Sequence, residues 1–237
     1  MSKLILHTAE SRGTTNQGWL HSRHTFSFGD YYNKERIHFG ELRVINDDML
    51  APGKGFGMHP HSNMEIITIP LEGELEYKDD LNNTATIGKG EVQVISGGTG
   101  IFHSEGNRNK DKSVRFIQMW IVPKIQKVKP RNAHGTYELI NNDITEIVSP
   151  ALSNNSLWIY QDAWVFIAKG DNNYTFSYKL KKPEGNGVYF FILQGEVLIE
   201  KQLLKARDGL GIWETTEIKI ELKADSEFLI IEVPMKA

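Results

Sequence analysis

The chain reads as an all-β protein made of two similar halves, and three features say so. Short segments rich in Val, Ile, Phe, Tyr and Thr recur between Gly, Asn and Asp turn signals, the pattern of a sandwich or barrel. No window of roughly a dozen residues keeps an apolar stripe at i, i+3, i+4 and i+7 without a Gly, Pro or Asn cluster breaking it, so helix is sparse. Three stretches of the first half return, in the same order, in the second.

In chain order the strand-like segments begin with HFGELRVINDDM, HSNMEIITIPLEGELEYKDD, GEVQVISGG and VRFIQMWIVP. WVFIAKG, YTFSYKL, VYFFILQGEVLIEK, GLGIWE, IKIELK and EFLIIEVPM follow. The internal echo sets ITIPLEGELEYKD against YFFILQGEVLIEK, with Gly73 opposite Gly195 and a glutamate after each. IGKGEVQVI then matches KARDGLGIW, and RFIQMWIVPK matches EFLIIEVPMK, which ends at Lys236. Between the halves, KIQKVKPRNAHGTYELINND is polar and carries Pro130 and Gly135, as a linker does. Residues 1–125 are therefore expected to form one domain, 126–145 a linker and 146–237 a second domain, which suits a chain of 237 residues.

Composition removes several function classes. The chain has no cysteine, so disulfides, thiolate metal sites and cysteine nucleophiles are excluded, and His, Asp and Glu remain as metal ligands. A net charge of −3 supplies no global field for a polyanion, so direct nucleic-acid binding is not expected. No apolar run approaches the length of a membrane span. The start, MSKLILHTAESRG, lacks the apolar core of a secretory signal, and a cytoplasmic location is expected.

The chemistry concentrates in two places. GMHPH puts His59 and His61 two residues apart, and HSE puts His103 and Glu105 at the same spacing. Side chains at i and i+2 of a strand share a face. If the two strands are neighbours facing a barrel interior, three imidazoles and a carboxylate converge, which is a metal site. Glu65 rivals Glu105, because it keeps the inward parity if the strand of His61 continues. A lone histidine in a strand is usually a solvated or hydrogen-bonded residue, and His7, His21, His24, His38 and His134 are read as surface or structural. The aromatics of WLHSRHTFSFGDYY are expected to pack against the barrel, and Phe56, Phe102 and Trp120 to serve in core packing before any ligand pocket. After His134 there is no histidine, so the second half cannot build a three-histidine site.

GKGFGMHPHSNME, LEGE and SGGTGIFHSE together resemble the pirin family of the cupin superfamily, and WLHSRHTFSFGDYY and LRVINDD resemble its bacterial members. The likeness covers the first 125 residues well and the rest more loosely. It implies a bicupin, two jelly-roll-like β-barrels in tandem, with one metal in the first barrel held by His59, His61, His103 and Glu105. The family takes its carboxylate from the second motif, which favours Glu105 over Glu65. One departure is Tyr77, where bacterial pirins often carry histidine; that position is not a ligand.

Such a donor set suits Fe, Mn, Co, Ni, Cu or Zn, and an octahedral metal keeps two open positions, so Fe(II) is the first choice. The resemblance implies quercetin 2,3-dioxygenase activity, with a small aromatic substrate, O2, and Glu105 as the base. The alternative it implies is a metal-dependent regulator that contacts a transcription factor or metabolic enzyme without turnover. A monomer is expected, because two barrels in one chain supply the pairing that single cupins obtain by dimerising.

Overall fold

The structure, a computed structural model, describes residues 2–152 and 156–235; Met1, Lys236 and Ala237, at the ends of the expected domains and of the last repeat match, lie outside them. The first half contributes β1 (Lys3–His7), β2 (Gly13–Asn16), β3 (Leu20–His24), β4 (Leu42–Leu50), β5 (Gly55–His61) and β6 (Glu65–Glu72). It continues through β7 (Glu74–Asp79), β8 (Thr84–Gly88), β9 (Glu91–Ser96), β10 (Ile101–Asn107), β11 (Val114–Ile121) and β12 (Arg131–Thr136). The second half runs through β13 (Asp143–Ser149), β14 (Leu157–Trp158), β15 (Trp164–Gly170), β16 (Thr175–Lys179) and β17 (Asn186–Gln194). It ends with β18 (Glu196–Ile199), β19 (Gln202–Lys205), β20 (Gly209–Trp213), β21 (Glu217–Leu222) and β22 (Ser226–Pro234). Helix among the described residues amounts to one 3-10 turn, Ala9–Ser11.

Each half closes a large sheet over a small one. The first barrel pairs β12-β9-β6-β11-β4-β3-β2 with β5-β10-β7-β8, and the second pairs β1-β20-β17-β22-β15-β13-β14 with β16-β21-β18-β19. This is a bicupin, as the family resemblance implies, and each of the two similar halves of the sequence supplies one barrel. Strands of the small sheets alternate: TFSYK in β16 and EIKIEL in β21 bury every second residue, as a strand with one wet face must. The central strands of the large sheets do not alternate, because both faces are covered. In β6, Glu65 to Pro70 are all buried. Ile67, Ile69, Ile117 and Met119 face Val165, Ile167, Leu229 and Ile231 of the other barrel in one shared core.

Two crossings join the halves. The first strand does not enter the first barrel; it pairs antiparallel with β20, and His7 meets the Tyr189 hydroxyl at 2.8 Å. The polar segment between the halves is not bare chain, for β12 pairs along β9 at the edge of the first barrel.

The interiors differ. The second barrel is filled by one continuous apolar cluster that includes Phe166, Phe190, Ile199, Ile220 and Phe228. The first has two small clusters, one around Leu50, Leu75 and Phe116 and one around Ile66, Tyr77 and Ile101, with buried polar residues besides. In the second barrel the buried carboxylate Glu232 is satisfied locally. It accepts hydrogen bonds from the Tyr178 hydroxyl (2.6 Å), the Lys181 and Lys182 amides (2.8 Å each) and Asn186 Nδ2 (2.9 Å). Glu232→Ala strands these donors and is expected to lower stability by about 3 kcal/mol, read as a drop in the urea midpoint.

Candidate metal centre

Strand pairing assembles the centre. β5 and β10 run antiparallel with His59 opposite His103, and the register shifts before Glu105, which sits opposite Phe56. The shift sets Gly57 and Met58 against Ser104 alone, a bulge in β5. Glycine is needed beside it, since a side chain at Gly55 would collide with the Glu105 carbonyl and the Gly106 Cα. His59 and His61 point to one face by the two-residue period, and His103 and Glu105 to the same interior from β10, whose burial alternates.

Among the described residues, His59, His61 and His103 bring their ligand nitrogens within 4.8 Å of one another. His59 Nε2 and His103 Nε2 are 3.0 Å apart. Two nitrogens bound at about 2.1 Å and about 90° would stand about 3.0 Å apart, so this spacing fits neighbouring ligands of one ion. His59 Nδ1 donates to the Gly57 carbonyl at 2.8 Å, which turns its Nε2 inward as an acceptor, the usual outer bond of a ligating imidazole. His103 Nδ1 is buried with no hydrogen-bond partner. Burial, reinforced by the neighbouring imidazoles, lowers His61 to about 4 and His103 to about 3, so both stay neutral and ready to ligate at neutral pH. The donors present therefore fit a divalent transition metal.

Glu105 lies outside that tight group but faces the same cavity. Its two oxygens accept from Gln118 Nε2 at 2.9 Å and Thr68 Oγ1 at 3.4 Å, and Gln118 Oε1 in turn accepts from Trp120 Nε1 at 3.0 Å. Complete burial raises its pKa, against the opposing pull of Gln118, His59 and Thr68. Glu65, the rival carboxylate, points elsewhere. Asn63, at φ 48°, breaks the chain between β5 and β6, and Glu65 accepts from Ser96 Oγ at 2.7 Å near Arg131.

The cavity holds about 280 Å³. Phe28, Phe56 and Trp120 line it, whereas Phe102 projects outward and is 49% exposed. Part of WLHSRHTFSFGDYY thus does more than pack, since Phe28 and His24 form cavity wall. His24 is the buried, hydrogen-bonded residue expected, held by Thr15 and Asn46. Asn46, Asp48, Thr68 and Gln118 were not singled out in the sequence; the available signal was polar residues at the inward parity of LRVINDDM, EIITIPLE and VRFIQMWI.

The Pirin family model matches residues 6–121, and a model described as the quercetinase C-terminal cupin domain matches residues 146–233. Quercetin 2,3-dioxygenase of Escherichia coli strain K12 is 35% identical over 235 residues, 98% of this chain and 99% of that protein. The chain belongs to the pirin family. A pirin-like protein of Caulobacter vibrioides is also 35% identical, over 93% of this pirin and 95% of its own length. The crystal structure of YhhW from Escherichia coli superposes with a TM-score of 0.94 at 35% identity, covering 98% of both chains. The structure of YhhW described as its nickel(II) complex gives 0.93 at the same identity, covering 98% of this pirin and 99% of that chain. Among the described residues no helix is long and apolar enough to cross a membrane.

Gln118→Leu removes the amide that orients Glu105 and is expected to weaken metal binding by about 10- to 100-fold, measured by competition with a chelator. The lowered histidines also set a pH dependence. The unfolded chain takes up protons as pH falls below about 6.5, while folded His61 and His103 resist until about 4 and about 3. Melting temperature of the metal-free protein is expected to fall as pH drops from 7 to 4, and to fall less steeply in His61→Ala.

Proposed function

We propose that this pirin is a metal-dependent flavonol 2,3-dioxygenase that cleaves quercetin or a close analogue with O2. The observation that carries this reading is the three-imidazole group at an aromatic-walled cavity, in a chain matched along 98% of its length by a quercetin 2,3-dioxygenase. His59, His61, His103 and Glu105 hold one divalent metal. Fe(II) is the first choice on donor type, because an octahedral ion held by these four groups would keep two open positions. Nickel(II) is bound by the relative YhhW and belongs among the metals to be loaded.

When bound, the metal supplies Lewis acidity toward the substrate hydroxyl and a centre for dioxygen. The side chains do the rest. Trp120, Phe28 and Phe56 hold the flat rings and exclude water. Glu105 takes the proton of the flavonol 3-hydroxyl while Gln118 and Thr68 keep its oxygens in place. Dioxygen adds to the activated ring, which opens with loss of carbon monoxide.

One feature favours a second reading as a metal-dependent regulator that binds a transcription factor or metabolic enzyme. Met58 and Phe102, 54% and 49% exposed, stand on the outer face of the strands that carry the ligands. Oxygen uptake with quercetin, after reloading apo protein in turn with Fe(II), Mn(II), Co(II), Ni(II), Cu(II) and Zn(II), separates the two. The dioxygenase is expected to turn over with one metal and to lose activity in His59→Ala; Glu105→Gln, assayed with enough metal to fill its weakened site, should lose roughly 100-fold or more in rate. Stoichiometric binding without turnover by any metal would leave the regulator.

A further inference from the structure

The sheet facing the ligand strands presents a second polar surface to the same cavity. Register aligns His24 with Asn46, Asn46 with Gln118, and Gln118 with Thr68 across four strands, and sets Ser22 beside Asp48 in a neighbouring row. Most of these groups are satisfied among themselves: His24 by Thr15 and Asn46, Gln118 by Trp120 and Glu105.

Asp48 is the exception. It lines the cavity and is only 4% exposed, yet its Oδ1 is buried with no hydrogen-bond partner. The adjacent Asp47 faces the opposite way and meets Arg12, Arg115 and Arg207, while no ion pair among the described residues reaches Asp48. Burial, followed by the nearby charges of Glu105 and Asp47, raises Asp48 to about 7 against the help of Ser22. A buried carboxyl with neither counter-charge nor full hydrogen bonding weakens the fold and marks a place where a ligand completes the set. Aromatic walls on the same cavity fix the rest of that ligand as flat and apolar.

We propose that Asp48 anchors the substrate, accepting a hydrogen bond from a hydroxyl on a planar aromatic ligand whose 3-hydroxyl edge lies at the metal centre. The inference rests on the flavonol reading above and adds the basis of selection, polyhydroxylated rings over bare ones. A hydroxyl is the fitting group because it pairs with a carboxyl in either protonation state.

The test is calorimetric titration without oxygen, so that no turnover occurs, of metal-loaded protein with quercetin and with 3-hydroxyflavone, which keeps the 3-hydroxyl and lacks the others. Wild type is expected to prefer quercetin, and Asp48→Leu to lose about tenfold or more of that preference. Metal content should be unchanged and the melting temperature equal or higher, which a structural role for Asp48 would not produce. Asp48→Ala carries the same expectation if the leucine variant fails to fold. A preference equal in wild type and variant overturns the inference and leaves the dioxygenase reading standing. Lost preference in an enzyme that never turns quercetin over supports the anchor and sinks the dioxygenase. No binding of either flavonol to wild type overturns both.

Discussion

The antiparallel pairing of β5 with β10 is the constraint on which the centre depends. With His59 opposite His103, two imidazole nitrogens come within 3.0 Å and His61 joins from the same face. A slip of one residue would reverse every side chain, sending the imidazoles to the surface and Met58 and Phe102 inward. Close approach at Gly55 and the bulge at Gly57 pin the register against that slip. The ligand geometry is therefore a property of the backbone before it is one of side chains.

The two barrels share an architecture and spend it differently. The second is filled with apolar side chains and contributes its large sheet to the common core. The first accepts buried His, Asn, Asp, Gln and Glu side chains in its interior, each less favourable there than a leucine. It can do so because the outer face of its large sheet is covered by the second barrel, so that hydrophobic burial lost inside is supplied outside. The histidine-free half is thus a support for the half that holds the chemistry.

Much of this was legible in the sequence. The period of two in GMHPH and HSE named three residues that converge, and the repeated β unit announced paired barrels. Parity alone left Glu65 and Glu105 as rivals, because it carries through a strand and not through a turn, and nothing in HSNME reveals the positive φ at Asn63. Asp48 and Gln118 escaped notice for a related reason. A single polar residue in an apolar strand has no assigned face until its neighbours are known, and β4 and β11 are buried on both. The pairing of β1 with β20 was hidden altogether, since short-range patterns carry no information about a partner at the far end of the chain.

That pairing bears on the order in which the protein can be completed. The first strand leaves the ribosome long before β20 exists, and its backbone groups wait for a partner that closes only when the second barrel has formed. Loop closure over such a span is slow compared with hairpin formation within either half. A strand made before β2 is thus among the last to be placed, and it acts as a latch: a chain interrupted before residue 209 is left with an unpaired β1 and an open strand edge.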